Sequence, residues 1–144
     1  MNESFFRVAD GCLRPDMFAA AQSYARLNGL AYWMYEFAAN DDQQALEHIA
    51  SELGTIVQSH AKLKHLKLKY QAAVVAVVLQ EIQHPITVRP WSGRVRACSA
   101  GIAQKSWSNN KLCEAVDQLI KITDQSLRDA ERAIGQQILE VVDL

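Results

Sequence analysis

The chain has 144 residues, 49% of them hydrophobic and 22% charged, with a formal net charge of −1; this is the pattern expected of one ordinary soluble globular domain with a real core. No apolar run approaches the roughly 18 residues of a membrane span, and the start "MNESFFRVADG" has no basic-then-apolar leader pattern, so a cytoplasmic protein with no membrane partner is expected. Three cysteines, Cys12, Cys98 and Cys113, with no CxxC spacing, speak against a disulfide framework and fit a reducing compartment.

Proline and glycine are scarce, which favours helices. Pro15 suits a first helical position and Asp16 the positive helix start. "PDMFAAAQSYARLN" then reads as a helix with Phe18, Ala21, Ala25 and Leu27 inward, stopped at Asn28-Gly29. "LAYWMYEFAAN" follows, aromatic on nearly every face. It is either a buried helix or a contact surface built from Tyr32, Trp33, Tyr35 and Phe37. Asn40 or Asp41 can cap the next helix, in which Leu46, Ile49, Ala50, Leu53, Ile56 and Val57 follow three-four spacing, with Gly54 as a weak point.

"HAKLKHLKLKYQAAVVAVVLQEIQHP" alternates like a strand in "LKLKY". Leu63, Leu66, Tyr70, Val74, Val77 and Ile82 nevertheless fit one helical face, and the interleaved alanines favour helix. The valine-rich half is then a central core helix ended by Pro85, and the lysine-rich half its wet end. After Pro90 a helix-turn-helix candidate spans 90–113, and a long C-terminal helix spans 108–142. Along that helix Ile120, Leu127, Ile134 and Val141 recur every seven residues, with Val116, Thr123, Ala130 and Gln137 between them. Such a seam calls for another helix, supplied by a second copy in a homodimer or by the chain itself. The expected fold is therefore all-α: a single helical domain over 1–144, of about five to six helices, with a helix-turn-helix-like segment and a long C-terminal helix.

Charge is unevenly distributed. Residues 1–52 carry three bases and eight acids, 53–113 nine bases and one acid, and 114–144 three bases and seven acids. A basic middle between acidic ends is the pattern of a polyanion-binding surface. Within it lies "WSGRVRACSAGIAQKSWSNNK". Ala97 is followed four residues later by Gly101, flanked by Ala100 and Ile102, with Trp107 six residues on. A small residue lets the second helix cross the first, a glycine takes the positive φ of the turn, and apolar residues hold the angle. Asn110 stands where an aliphatic residue is expected, and Leu112 can take its place.

On this reading Gln104, Lys105, Ser106, Ser108 and Asn109 face the groove of double-stranded DNA, where amide and cationic side chains can bond base edges. Arg89, Arg94, Arg96 and Lys111 lie nearer the phosphates. Lys62, Lys64, Lys67 and Lys69 form a secondary basic patch, which joins the site only if it reaches the same surface. The competing structural reading makes Gly101 a helix stop and Ser106 or Ser108 a cap. Cys98 and Cys113, on helical patterns, read as small buried hydrophobes.

No catalytic, cofactor or metal site emerges. His48, His60, His65 and His84 have no metal-pair spacing, and no HExxH, P-loop, GxSxG or dinucleotide glycine pattern occurs. A non-enzymatic regulator is expected; the alternative is a helical protein–protein adaptor or inhibitor that docks an acidic partner.

The stretch "KYQAAVVAVVLQEI … WSGRVRACSAGIAQKSW", a buried helix feeding a basic helix-turn-helix before a long helix, resembles small phage-encoded transcription regulators, and among them the late-gene antitermination proteins. The resemblance implies binding to promoter-proximal DNA and to RNA polymerase, so that transcription passes terminators.

Overall fold

The computed structural model describes residues 29–84 and 86–142, with side chains except at 86 and 136–142. These residues form α1 (Gly29–Asn40), α2 (Ala45–Ser59), α3 (Leu68–Ile82), a 3-10 turn at Ile86–Val88, α4 (Gly93–Ala100), α5 (Gln104–Asn109) and α6 (Leu112–Val142), with no strand among them. The all-α class and the long C-terminal helix stand. The helix expected over 15–28, and Cys12, lie outside the described residues. Among the described residues two compact units can be distinguished, one of 29–48 with 123–142 and one within 49–122.

In the first unit, α1 turns Leu30, Ala31, Met34 and Tyr35 into the interior, and the second part of α6 contributes Thr123, Ala130 and Ile134. Tyr35 is thereby core rather than contact surface. Tyr32, Trp33 and Phe37 are half-buried. The Trp33 indole stacks on the His48 ring at 3.8 Å, and Tyr32 meets it edge-on at 4.8 Å. α1 stops where Asp41 takes a positive φ of 51°. The Asp42 carboxylate, rather than Asn40 or Asp41, then accepts the Gln44 N–H at 3.0 Å and starts the turn into α2.

In the second unit, α2 supplies Ile49, Leu53 and Val57 to the core and runs through Gly54 unbroken. α3 supplies Val74, Val77, Val78 and Ile82. The lysine-rich segment is not the first half of that helix. Residues 61–66 are turns and bends, with Leu63 N–H to His60 O at 3.1 Å and Leu66 N–H to Leu63 O at 3.1 Å. The buried Gln71 explains the late start: its amide donates to the carbonyls of Lys64 at 3.2 Å and Leu66 at 2.9 Å, so these groups need no helical partners. Leu63 still reaches the core, whereas Leu68 is 76% exposed.

The last helix begins at Leu112, not at 108. Residues 108 and 109 end α5, and Lys111 turns the chain with a φ of 55°. The expected seam is half right. Val116, Thr123, Ala130 and Ile134 are buried, but Ile120 and Leu127 are half-buried, and Leu112, Ala115 and Leu119 hold the early positions instead. The side chains of Gln137 and Val141 lie outside the described residues.

Candidate nucleic-acid interface

All of the proposed contact residues belong to the 49–122 unit, and local sequence fixes how their elements meet. Ser92 caps α4 by accepting the Val95 N–H at 3.2 Å. α4 stops at Gly101, which has φ 69° and ψ 26°. The Gly101 N–H donates to Cys98 O at 3.1 Å and the Ile102 N–H to Ala97 O at 3.0 Å, a Schellman-type stop that a side chain with a Cβ resists. Three residues later α5 begins. Ala97 is buried, and Trp107 is 1% exposed, with its indole N–H donated to Cys113 Sγ at 3.2 Å. Asn110, in the place of an aliphatic residue, closes α5 by donating its amide to Ser106 O at 2.7 Å, and Leu112 fills the apolar position. Helix, three-residue turn and helix are thus arranged around the residues that the sequence singled out.

Arg96 departs from its expected role as a phosphate contact. It is 2% exposed, so it is a structural residue. Its Nε and Nη2 donate to the two oxygens of Glu81 at 3.0 and 2.8 Å, and its Nη1 reaches Cys113 O at 3.2 Å and Asp117 Oδ1 at 2.8 Å. Glu81, fully buried, also accepts the Trp91 N–H at 2.7 Å. One guanidinium therefore ties α3, α4 and α6 together. Burial alone would push the Arg96 pKa down. The hydrogen bonds to Glu81 and Asp117 and the charge of Glu81 outweigh it and hold the group above its ordinary value. One signal for this was present in the sequence: Glu81 is the single acid of residues 53–113 and continues the buried face of Val74, Val77 and Val78. A carboxylate on such a face needs a cation beside it. Cys98 also departs from expectation; it is exposed, and only Cys113 is partly buried.

The other candidates lie outward. Gln104, Lys105, Ser108, Asn109, Lys111 and Arg94 are exposed, and Arg89 and Ser106 half-buried. Lys62, Lys64, Lys67 and Lys69 are all exposed. The lysine patch does reach the helix-turn-helix. Lys69 and Tyr70 share a cleft of about 280 Å³ with Ala100, Ile102 and Ser106, and the Lys69 ammonium lies 5.1 Å from the Tyr70 ring centre. Lys62 shares a second cleft, of about 300 Å³, with Lys111. Arg94 lines neither. Lys62, Lys69, Lys105 and Lys111 are the cations that the fold sets in and around the second helix of the motif.

Among the described residues no group of three or more histidine, cysteine or carboxylate side chains could hold a metal, and no helix is long and apolar enough to cross a membrane. Comparison with protein-family models, curated proteins and solved structures finds no match.

Proposed function

We propose that the 49–122 unit binds double-stranded DNA as the reading part of a transcription regulator. The observation that carries this reading is the exposed polar face of α5, Gln104, Lys105, Ser108 and Asn109, with Lys69 in a cleft beside Ser106 and Lys62 in a cleft beside Lys111. The unit holds ten bases and four acids, and its most buried ion pair, Arg96–Glu81, removes one of each from the surface. α5 has six residues, little more than a turn and a half. Few side chains can therefore reach base edges at once, and phosphate contacts carry most of the affinity. The resemblance to antitermination proteins extends the proposal to RNA polymerase as a protein partner, and the seam of α6 to a second copy of the chain.

Titration of a fluorescent duplex at 50 and 200 mM salt tests this. If about five phosphates are neutralised, affinity drops on the order of 10²–10³-fold across that range. The combined variant Lys62→Gln, Lys69→Gln, Lys105→Gln loses most of the binding and flattens the salt dependence, with the fold unchanged by circular dichroism. Absence of binding at the lower salt overturns the proposal and favours a protein–protein adaptor.

A further inference from the structure

We propose that the cleft shared by Lys62 and Lys111 is a binding site for a nucleoside monophosphate unit, either free or at the phosphorylated end of a strand. The inference rests on reading the same face as a nucleic-acid surface. The cleft lies between the turns after α2 and the start of α6, and its volume of about 300 Å³ is at the small end of ligand sites, fitting one nucleotide better than a peptide segment. Its lining combines three chemistries. Lys62 and Lys111 supply cations, Leu66 and Ala115 an apolar floor, and Glu114 and Gln118 hydrogen-bonding groups. Among the described residues the side chains of Lys62, Lys111, Glu114 and Gln118 have no hydrogen-bond or ion-pair partner.

Glu114 makes the site selective. A carboxylate beside two ammonium groups disfavours a bare phosphate or a polyphosphate, which it would repel. It favours a ligand that brings an anion at one end and N–H donors at the other. A phosphate on Lys62 and Lys111, with a base lying on Leu66 and Ala115, meets this condition, because the amino group of cytosine can donate to a carboxylate. Uracil and thymine present a carbonyl at that position, which Glu114 repels.

The test is calorimetric and NMR titration of the full chain with cytidine monophosphate, uridine monophosphate, cytidine and inorganic phosphate. Cytidine monophosphate is expected to bind saturably, and each of the other three at least about tenfold more weakly, the loss of about one charge-assisted interaction. The pair Lys62→Gln, Lys111→Asn lowers its affinity by about tenfold or more; asparagine tolerates the positive φ of position 111. Glu114→Ala abolishes the preference for cytidine over uridine monophosphate. A 5′-phosphorylated single-stranded oligocytidylate separates the sources: binding of the oligonucleotide without the free nucleotide, sensitive to the same pair, assigns the strand end. Inorganic phosphate binding as tightly as cytidine monophosphate overturns the proposal, as does the absence of nucleotide binding in both forms or binding indifferent to the pair. Lys69→Gln, outside the cleft, weakens duplex binding and leaves the nucleotide untouched. Loss of this proposal with duplex binding intact is therefore distinct from loss of both.

Discussion

The two units of the chain handle charge in opposite ways. Residues 49–122 hold ten bases and four acids, and the rest of the chain holds five bases and twelve acids. In the basic unit buried polar groups bond to one another and to the backbone: Glu81 and Arg96 join α3 to α4, and Gln71 holds the turn before α3. In the acidic unit the described interior is largely apolar, built from Leu30, Ala31, Met34, Tyr35, Ala130 and Ile134, with Glu36 and Thr123 as its buried polar members. Directional bonds between elements resist the sliding of one helix past another. The basic unit thus fixes the angle between α4 and its neighbours, and this fixed angle presents α5.

Breaking the network should show the contrast most strongly. Arg96→Ala leaves Glu81 charged and buried, and should destabilise the basic unit by about 3–5 kcal/mol in denaturant titrations. Pairing Arg96→Met with Glu81→Leu should recover most of that loss, because two well-packed apolar groups replace two desolvated charges. Recovery should be incomplete, since the Trp91 N–H loses its acceptor, at about 1–3 kcal/mol. Duplex binding should fall in Arg96→Ala even at temperatures where the chain is folded. Unchanged stability in Arg96→Ala would mean that the pair does not hold the unit together.

The acidic unit should respond to volume instead. Ala130 is fully buried on α6, and Ala130→Leu should cost about 1–3 kcal/mol by overpacking while leaving duplex affinity unchanged. A parallel loss of duplex binding would show that the two units do not act separately. Gly101→Ala comes next. A Cβ there meets nothing within 4 Å, but φ is +69°, so the cost is that of the backbone alone, about 1 kcal/mol. The same variant should weaken duplex binding only modestly.

Much of the fold was legible because it rests on periodicity. The faces of α2 and α3, the stop at Gly101 and the burial of Trp107 all follow from spacing and from what glycine alone does easily. The illegible parts depend on long-range polar bonds. Nothing local distinguishes Arg94 from Arg96, two residues apart on one short helix; only the fold puts Glu81 beside the second. Likewise the helical pattern of 60–67 was overridden by a side chain further on, Gln71, which satisfies the carbonyls of a turn. The exposed candidates on α5 were readable, whereas the placing of Lys69 beside Ser106, and of Lys62 beside Lys111, needed the tertiary structure.

The smallest expected effect is a pH dependence confined to the acidic unit. Burial, and then the charge of Glu131, raise the Tyr35 phenol above its ordinary pKa of 10.0. Below that value the phenol is neutral in both folded and unfolded chains, and the packing it provides is fully present. As pH rises past it, the unfolded chain ionises first and is favoured, so stability declines between the ordinary value and the raised one. Tyr35→Phe removes the ionisation and should flatten the decline in denaturant titrations between about pH 9 and 11. Tyr32 is raised for the same first reason, with Asp42 as the second, so some slope should survive in Tyr35→Phe and disappear only when both are replaced. An unchanged slope in the double variant would show that these two phenols do not set the alkaline sensitivity.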